Sequence, residues 1–229
     1  VSSAKRIASE GARFWPRTWR PSRTLAALLL LIALPVQAAE KARPARLELD
    51  EEGRALMRQV ETYLNGLKTL EARFVQIASN GDFAEGRLYL MRPGKLRIEY
   101  DPPKPDLIVS DGFMLMHYDR ELKQASHVPL DSTPAGLLVD ERISLNSNKV
   151  TVVGLQKEAS AIRLGLVRTS DPSEGTVTLV FSEKPLALRK WIVVDAQGIV
   201  TTVTLQNPVF GQPLDKKMFY LEIPAEKKP

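Results

Sequence analysis

The chain has 229 residues, no cysteine and a formal charge of +5, from 32 Lys and Arg against 27 Asp and Glu. The first 38 residues hold six of those bases and one of the acids, so the remainder is balanced, 26 against 26. A neutral body gives no support for a nucleic-acid partner, which would need a basic patch, and the missing cysteines exclude a disulfide framework.

Lys5, Arg6, Arg13, Arg17, Arg20 and Arg23 precede an uncharged run, "LAALLLLIALPV", residues 25–36. Twelve residues fall short of the ~20 needed to span a membrane but suit the core of an export signal. Val36 and Ala38 stand where a signal peptidase reads small residues. Residues 1–38 are therefore expected to be a signal peptide cleaved near Ala38, the alternative being an uncleaved anchor. Without a cysteine at that site the product cannot be lipidated there, and a soluble periplasmic protein is expected. Residues 39–46 read as a polar leader and 47–229 as one domain.

From Leu47 to Leu67 the apolar spacing is helical, with Leu56, Val60 and Leu64 on one stripe and Asp50, Glu51 and Glu52 near the start. From Thr69 the period becomes two. Strands are predicted over 70–78, 84–92, 95–101, 106–110, 113–118 and 122–128, joined by Asn80-Gly81, Pro93-Gly94 and Asp111-Gly112 turns. "DSTPAGLLVDERISL", residues 131–145, interrupts the meander. Asp131, Ser132 or Thr133 caps a short helix there, with Pro134 in its first turn. Strands resume over 149–156, 161–168, 176–182, 188–194, 199–206 and 217–223. The fold class is mainly β (α+β): a large antiparallel sheet, an N-terminal helix and a small inserted helix.

Reactive chemistry is sparse. His117 and His127 have no evident catalytic partners, and "VSDG", residues 109–112, lacks the spacing of a nucleophile elbow. His117, Asp111 and Asp119 could in principle meet on a metal, but each reads more simply as a solvated turn residue. No enzyme, metal or cofactor is expected. Met91, Met114 and Met116 cluster in the first meander, as core filling or as an adaptable apolar wall.

One residue is out of place. Leu88, Leu90 and Arg92 share one side of a strand, so a charge continues an apolar face. Arg92 either reaches solvent from the strand end or serves something inside.

"GRLYLMRPGKLRIEYDPPKPDLIVSDGFMLMHYDRELKQASHVPL", residues 86–130, resembles the signature region of the LolA family of periplasmic outer-membrane lipoprotein carriers. "LNGLKTLEARFVQ", "STPAGLLV", "KWIVVDAQGIVTTVTLQN" and "FYLEIP" resemble its other segments in the same order. The resemblance implies an incomplete antiparallel β-barrel whose apolar cavity is closed by helices. It also implies a carrier that takes acylated lipoproteins from an inner-membrane Lol ABC transporter to the outer-membrane receptor LolB. A monomer is expected. By the same resemblance Arg92 holds the lid helix shut through the carbonyls of Leu138 and Val139. Leu88, Leu90, Leu96, Ile98, Met114, Met116 and Leu137 are the candidate cavity residues. Family members often carry tryptophan where this chain has Ile98 and Met116. The alternative is a carrier or sensor for another lipid on the same fold.

Overall fold

The computed structural model describes residues 45, 47–103 and 106–221. The proposed signal peptide and its cleavage point lie outside them.

Helix α1 spans Glu51–Gly66, and the Asp50 side chain caps it by accepting from the Gly53 N–H at 2.8 Å. That satisfies one of the donors a helix start leaves without a partner. Val60 and Leu64 are fully buried, with Leu56, Met57 and Tyr63 packed beside them. Each fully buried aliphatic side chain contributes about 1.5–3 kcal/mol, so this stripe seats the helix firmly.

The sheet is built from β1 (Thr69–Ala78), β2 (Phe83–Met91), β3 (Lys95–Tyr100), β4 (Leu107–Asp111), β5 (Met114–Asp119) and β6 (Gln124–Pro129). After the inserted segment come β7 (Val150–Lys157), β8 (Ala161–Arg168), β9 (Gly175–Ser182), β10 (Ala187–Asp195) and β11 (Val200–Phe210). They form one 11-stranded antiparallel sheet in the order β6-β5-β4-β3-β2-β1-β11-β10-β9-β8-β7. The β1–β11 pair joins the two meanders, and β6 and β7 are left as edges, so the barrel is open. The inserted segment forms a 3-10 turn, Leu130–Ser132, and helix α2, Pro134–Val139.

Register decides the faces. Leu88 pairs with Ile98, and Leu90 with Leu96, which pairs with Ser110 and through it with Leu115. This inner face joins α1, α2 and the second meander in one core, including Phe74, Leu164, Leu166, Leu179 and Phe181. The opposite face carries Tyr89, Arg97, Val109 and Met116 in one row.

The last predicted strand, 217–223, is not seen where the structure describes it. Lys216–Phe219 is a 3-10 turn against β3 and β4, and residues 222 onward lie outside the described residues. Asp215 accepts from the Lys217 N–H at 2.9 Å, a local cap that competes with extended backbone. Arg97 donates to the Met218 carbonyl at 2.8 Å, and Phe219 is fully buried.

Candidate functional site

Arg92 follows β2 immediately and continues the face of Leu88 and Leu90, so its side chain enters the interior, where it is 9% exposed. There it meets two helix ends. Its Nε donates to the carbonyl of Leu138 in α2 at 2.8 Å, and its Nη1 donates to the carbonyl of Leu64 in α1. The final carbonyls of a helix have no partner within it, and a cation is favoured at that end. One planar guanidinium therefore serves the C-terminal turns of both helices, which an ammonium could not do with fixed geometry.

Burial pulls the Arg92 pKa down to about 10, with Asp140 opposing the shift, so the group stays charged at neutral pH. Its Nη2 is buried without a hydrogen-bond partner. The contact is consequently strong in its bonds and costly in its desolvation. Of the two carbonyls expected to receive Arg92, Leu138 does so and Val139 does not. The Val139 carbonyl accepts instead from the backbone N–H of Gly94 at 2.8 Å. Gly94 has φ +74°, and a Cβ there would sit 2.5 Å from the Cα of Gly112, so the β2–β3 and β4–β5 turns press together beneath α2.

Helix α2 is seated from its other end as well. Thr133 caps it, accepting from the Gly136 N–H at 3.2 Å. A Cβ on Gly136 would lie 2.3 Å from the Leu130 carbonyl, so the helix rests directly on the preceding 3-10 turn. Beyond α2, Asn65 of α1 donates Nδ2 to the Ile143 carbonyl at 2.8 Å and accepts from the Ile143 N–H at 3.0 Å. Glu61 accepts from the Leu145 N–H at 2.8 Å.

A cavity of about 1160 Å³ lies beside α2. Its apolar lining includes Leu137 and Val139 from α2 and Val150, Leu166, Val177 and Val193 from the second meander. Of the sequence-predicted cavity residues, Leu137 alone lines it. Leu88 and Leu90 (2% exposed) and Leu96 (3%) are packed into the core with both helices, and Ile98 is partly buried against it. Met114 and Met116 correct the expectation outright. Leu115 faces the core, so its two neighbours point to the outer face, where Met114 is 37% exposed. Strand β5 is apolar on both sides, and alternation alone does not tell inner from outer.

His117, Asp111 and Asp119 do not converge. His117 Nε2 lies 3.1 Å from Asp106, while Asp111 and Asp119 accept from backbone N–H groups of their own turns. Among the described residues no group of three or more His, Cys, Asp or Glu is placed to hold a metal.

Sequence reasoning missed Asn65, Glu61 and Arg168. Arg168 ends the series Ile162, Leu164, Leu166 as Arg92 ends Leu88, Leu90, so the same periodicity signal was present at both places.

The architecture is an open antiparallel half-barrel with an apolar inner face, covered by a short helix tied down at both ends. Residues 65–222 match the family described as outer membrane lipoprotein carrier protein LolA. A relative from Chromobacterium violaceum, an outer-membrane lipoprotein carrier protein, is 31% identical over 72% of this chain and 85% of its own. One of the same description from Nitrosomonas europaea is 29% identical over 66% of this chain and 79% of its own. The chain belongs to the LolA family. Among solved structures, a LolA superfamily protein from Nitrosomonas europaea covers 72% of this chain and 97% of its own, with TM-score 0.42 and 11% identity. An uncharacterized conserved protein from Thermus thermophilus covers 77% and 98%, with TM-score 0.46 and 11% identity.

Proposed function

We propose that this protein is a periplasmic carrier, not an enzyme, that shields the acyl chains of lipoproteins between the inner and outer membranes. It accepts them from an inner-membrane ABC transporter of the Lol type and delivers them to LolB or an equivalent acceptor. Each buried methylene is worth about 0.8 kcal/mol, so a multiply acylated protein does not cross water unescorted at a useful rate. A carrier must cover those chains and still let them go.

The single observation carrying this reading is the grip of Arg92 on Leu138 and Leu64, which holds the lid over an apolar interior. In this reading, release of α2 joins the cavity beside Leu137 to the inner face of Leu88, Leu90, Leu96 and Ile98, and acyl chains take the space the helix leaves. Arg92 is then the latch, and Val139 holds the same helix end through Gly94.

The test is incubation of lipoprotein-loaded inner-membrane vesicles with the mature protein and its matching transporter. Lipoprotein should move into the soluble fraction as a complex with the carrier. Mass spectrometry of that complex should find acylated peptide; free phospholipid or glycolipid in its place would mean a carrier for another lipid.

A further inference from the structure

The lid bridges the two edges of the open sheet. The segment Leu130–Asp140 leaves the end of edge strand β6, anchored by the Leu130 N–H donating to the Phe113 carbonyl at 2.9 Å. On the far side, Arg168 closes β8, the neighbour of edge strand β7. Its Nη1 donates to the backbone carbonyl of Asp131, and its Nε donates to Glu174 at 2.6 Å. Lys149 meets Asp140 at 2.8 Å from the same side. Phe113, Leu130 and Ser132 line the cavity from one edge, and Val167, Arg168 and Ser170 line it from the other.

We propose that Arg168, oriented by Glu174, is a second attachment of the lid, which closes the seam between the β6 and β7 edges and sets the width of the cavity there. The Arg168 side chain is 28% exposed, its guanidinium fixed by a carboxylate on one side and left to donate to a backbone carbonyl on the other. Arg92 holds the C-terminal end of α2 against the first meander. Arg168 holds the segment before α2 against the second. Releasing one leaves the lid hinged on the other, so the two ends open independently. The guest admitted at the seam is a lipid acyl chain, a choice that rests on the carrier reading above. Arg168 is a positioning residue, and in this role it acts through the lid.

Because the chain has no cysteine, paired spin labels go only where they are introduced. Ser132→Cys with Ser170→Cys reports the seam, and Lys68→Cys with Glu141→Cys reports the far end. Arg168→Leu should broaden and lengthen the seam distance distribution and leave the far pair unchanged, while Arg92→Leu should do the reverse. Arg168→Leu should also speed uptake of an apolar fluorophore about tenfold, the loss expected for one charge-assisted bond. Arg168→Lys keeps a donor but cannot serve Asp131 and Glu174 together, and should fall between. An unchanged seam in folded Arg168→Leu overturns the proposal, and so does equal broadening of both pairs, which would mean general loosening. A seam that widens in a protein whose parent form draws no lipoprotein from vesicles upholds the attachment and overturns the carrier reading.

Discussion

Asn65 pairs with both backbone groups of Ile143, donating to its carbonyl at 2.8 Å and accepting from its N–H at 3.0 Å. A side chain on α1 thereby does for the post-lid segment what a neighbouring strand would do. Asn65→Ala leaves two part-buried backbone groups without partners. Stability should fall by about 1–3 kcal/mol, read as a lower urea midpoint at unchanged slope. Asn65→Asp keeps the acceptor but sets a carboxylate against the Ile143 carbonyl, and should recover little.

Arg92→Leu removes donors from the Leu64 and Leu138 carbonyls and also removes the burden of a buried charge. The two effects oppose one another, so the variant should fold with a loss of about 1–3 kcal/mol. Lid closure should suffer more than global stability, seen as faster entry of an apolar fluorophore and altered transfer of lipoprotein to acceptor membranes. Arg92→Lys should resemble the leucine variant, because an ammonium cannot hold both helix ends in a planar fork. Transfer equal to the parent in both variants would remove the latch assignment.

Gly136→Ala puts a methyl group 2.3 Å from the Leu130 carbonyl, where only displacement of α2 or of the 3-10 turn makes room. Overpacking of this kind costs about 1–3 kcal/mol. Thermal unfolding should show a lower midpoint, and the fluorophore should enter faster than in the parent. Gly66→Ala, where a Cβ meets nothing within 4 Å, is the matched control and should not destabilise the protein.

Asp111 titrates low because the Phe113 and Met114 N–H groups bond its carboxylate, with Lys95 adding a smaller attraction. A carboxyl depressed by folding contributes stability above its unfolded pKa and loses it as pH falls through the folded value. Asp111→Ala should therefore lower the melting temperature at neutral pH, and the gap should close as pH drops below 3.8, the ordinary value. A gap that persists into strong acid would contradict the assignment.

The sheet and its two helices were legible because strands with one buried face alternate and because Asn-Gly, Pro-Gly and Asp-Gly mark their turns. Arg92 was legible because a charge on the leucine face contradicts that alternation. Its partners were less so. Leu64 and Val139 both offer a backbone carbonyl, and side-chain identity does not say which one a guanidinium reaches. The sidedness of Met114 and Met116 was hidden because Leu115 between them is equally apolar. The turn at Lys216–Phe219 reads as alternating "KKMFYLEI", and only the Asp215 cap argues against a strand. Arg168 carried the signal of Arg92, but it falls at a strand end among other charges, where an arginine ordinarily reaches water.

Leu88, Leu90 and Leu96 are packed in one core with the protein's own helices. On the carrier function proposed above, loading is an exchange in which lipid methylenes replace α2 side chains against the same wall. Little net apolar surface leaves water in that exchange apart from the chain itself. On that same reading, a wall already covered by α1 and α2 presents no sticky trough between one guest and the next, so it can be vacated and refilled many times.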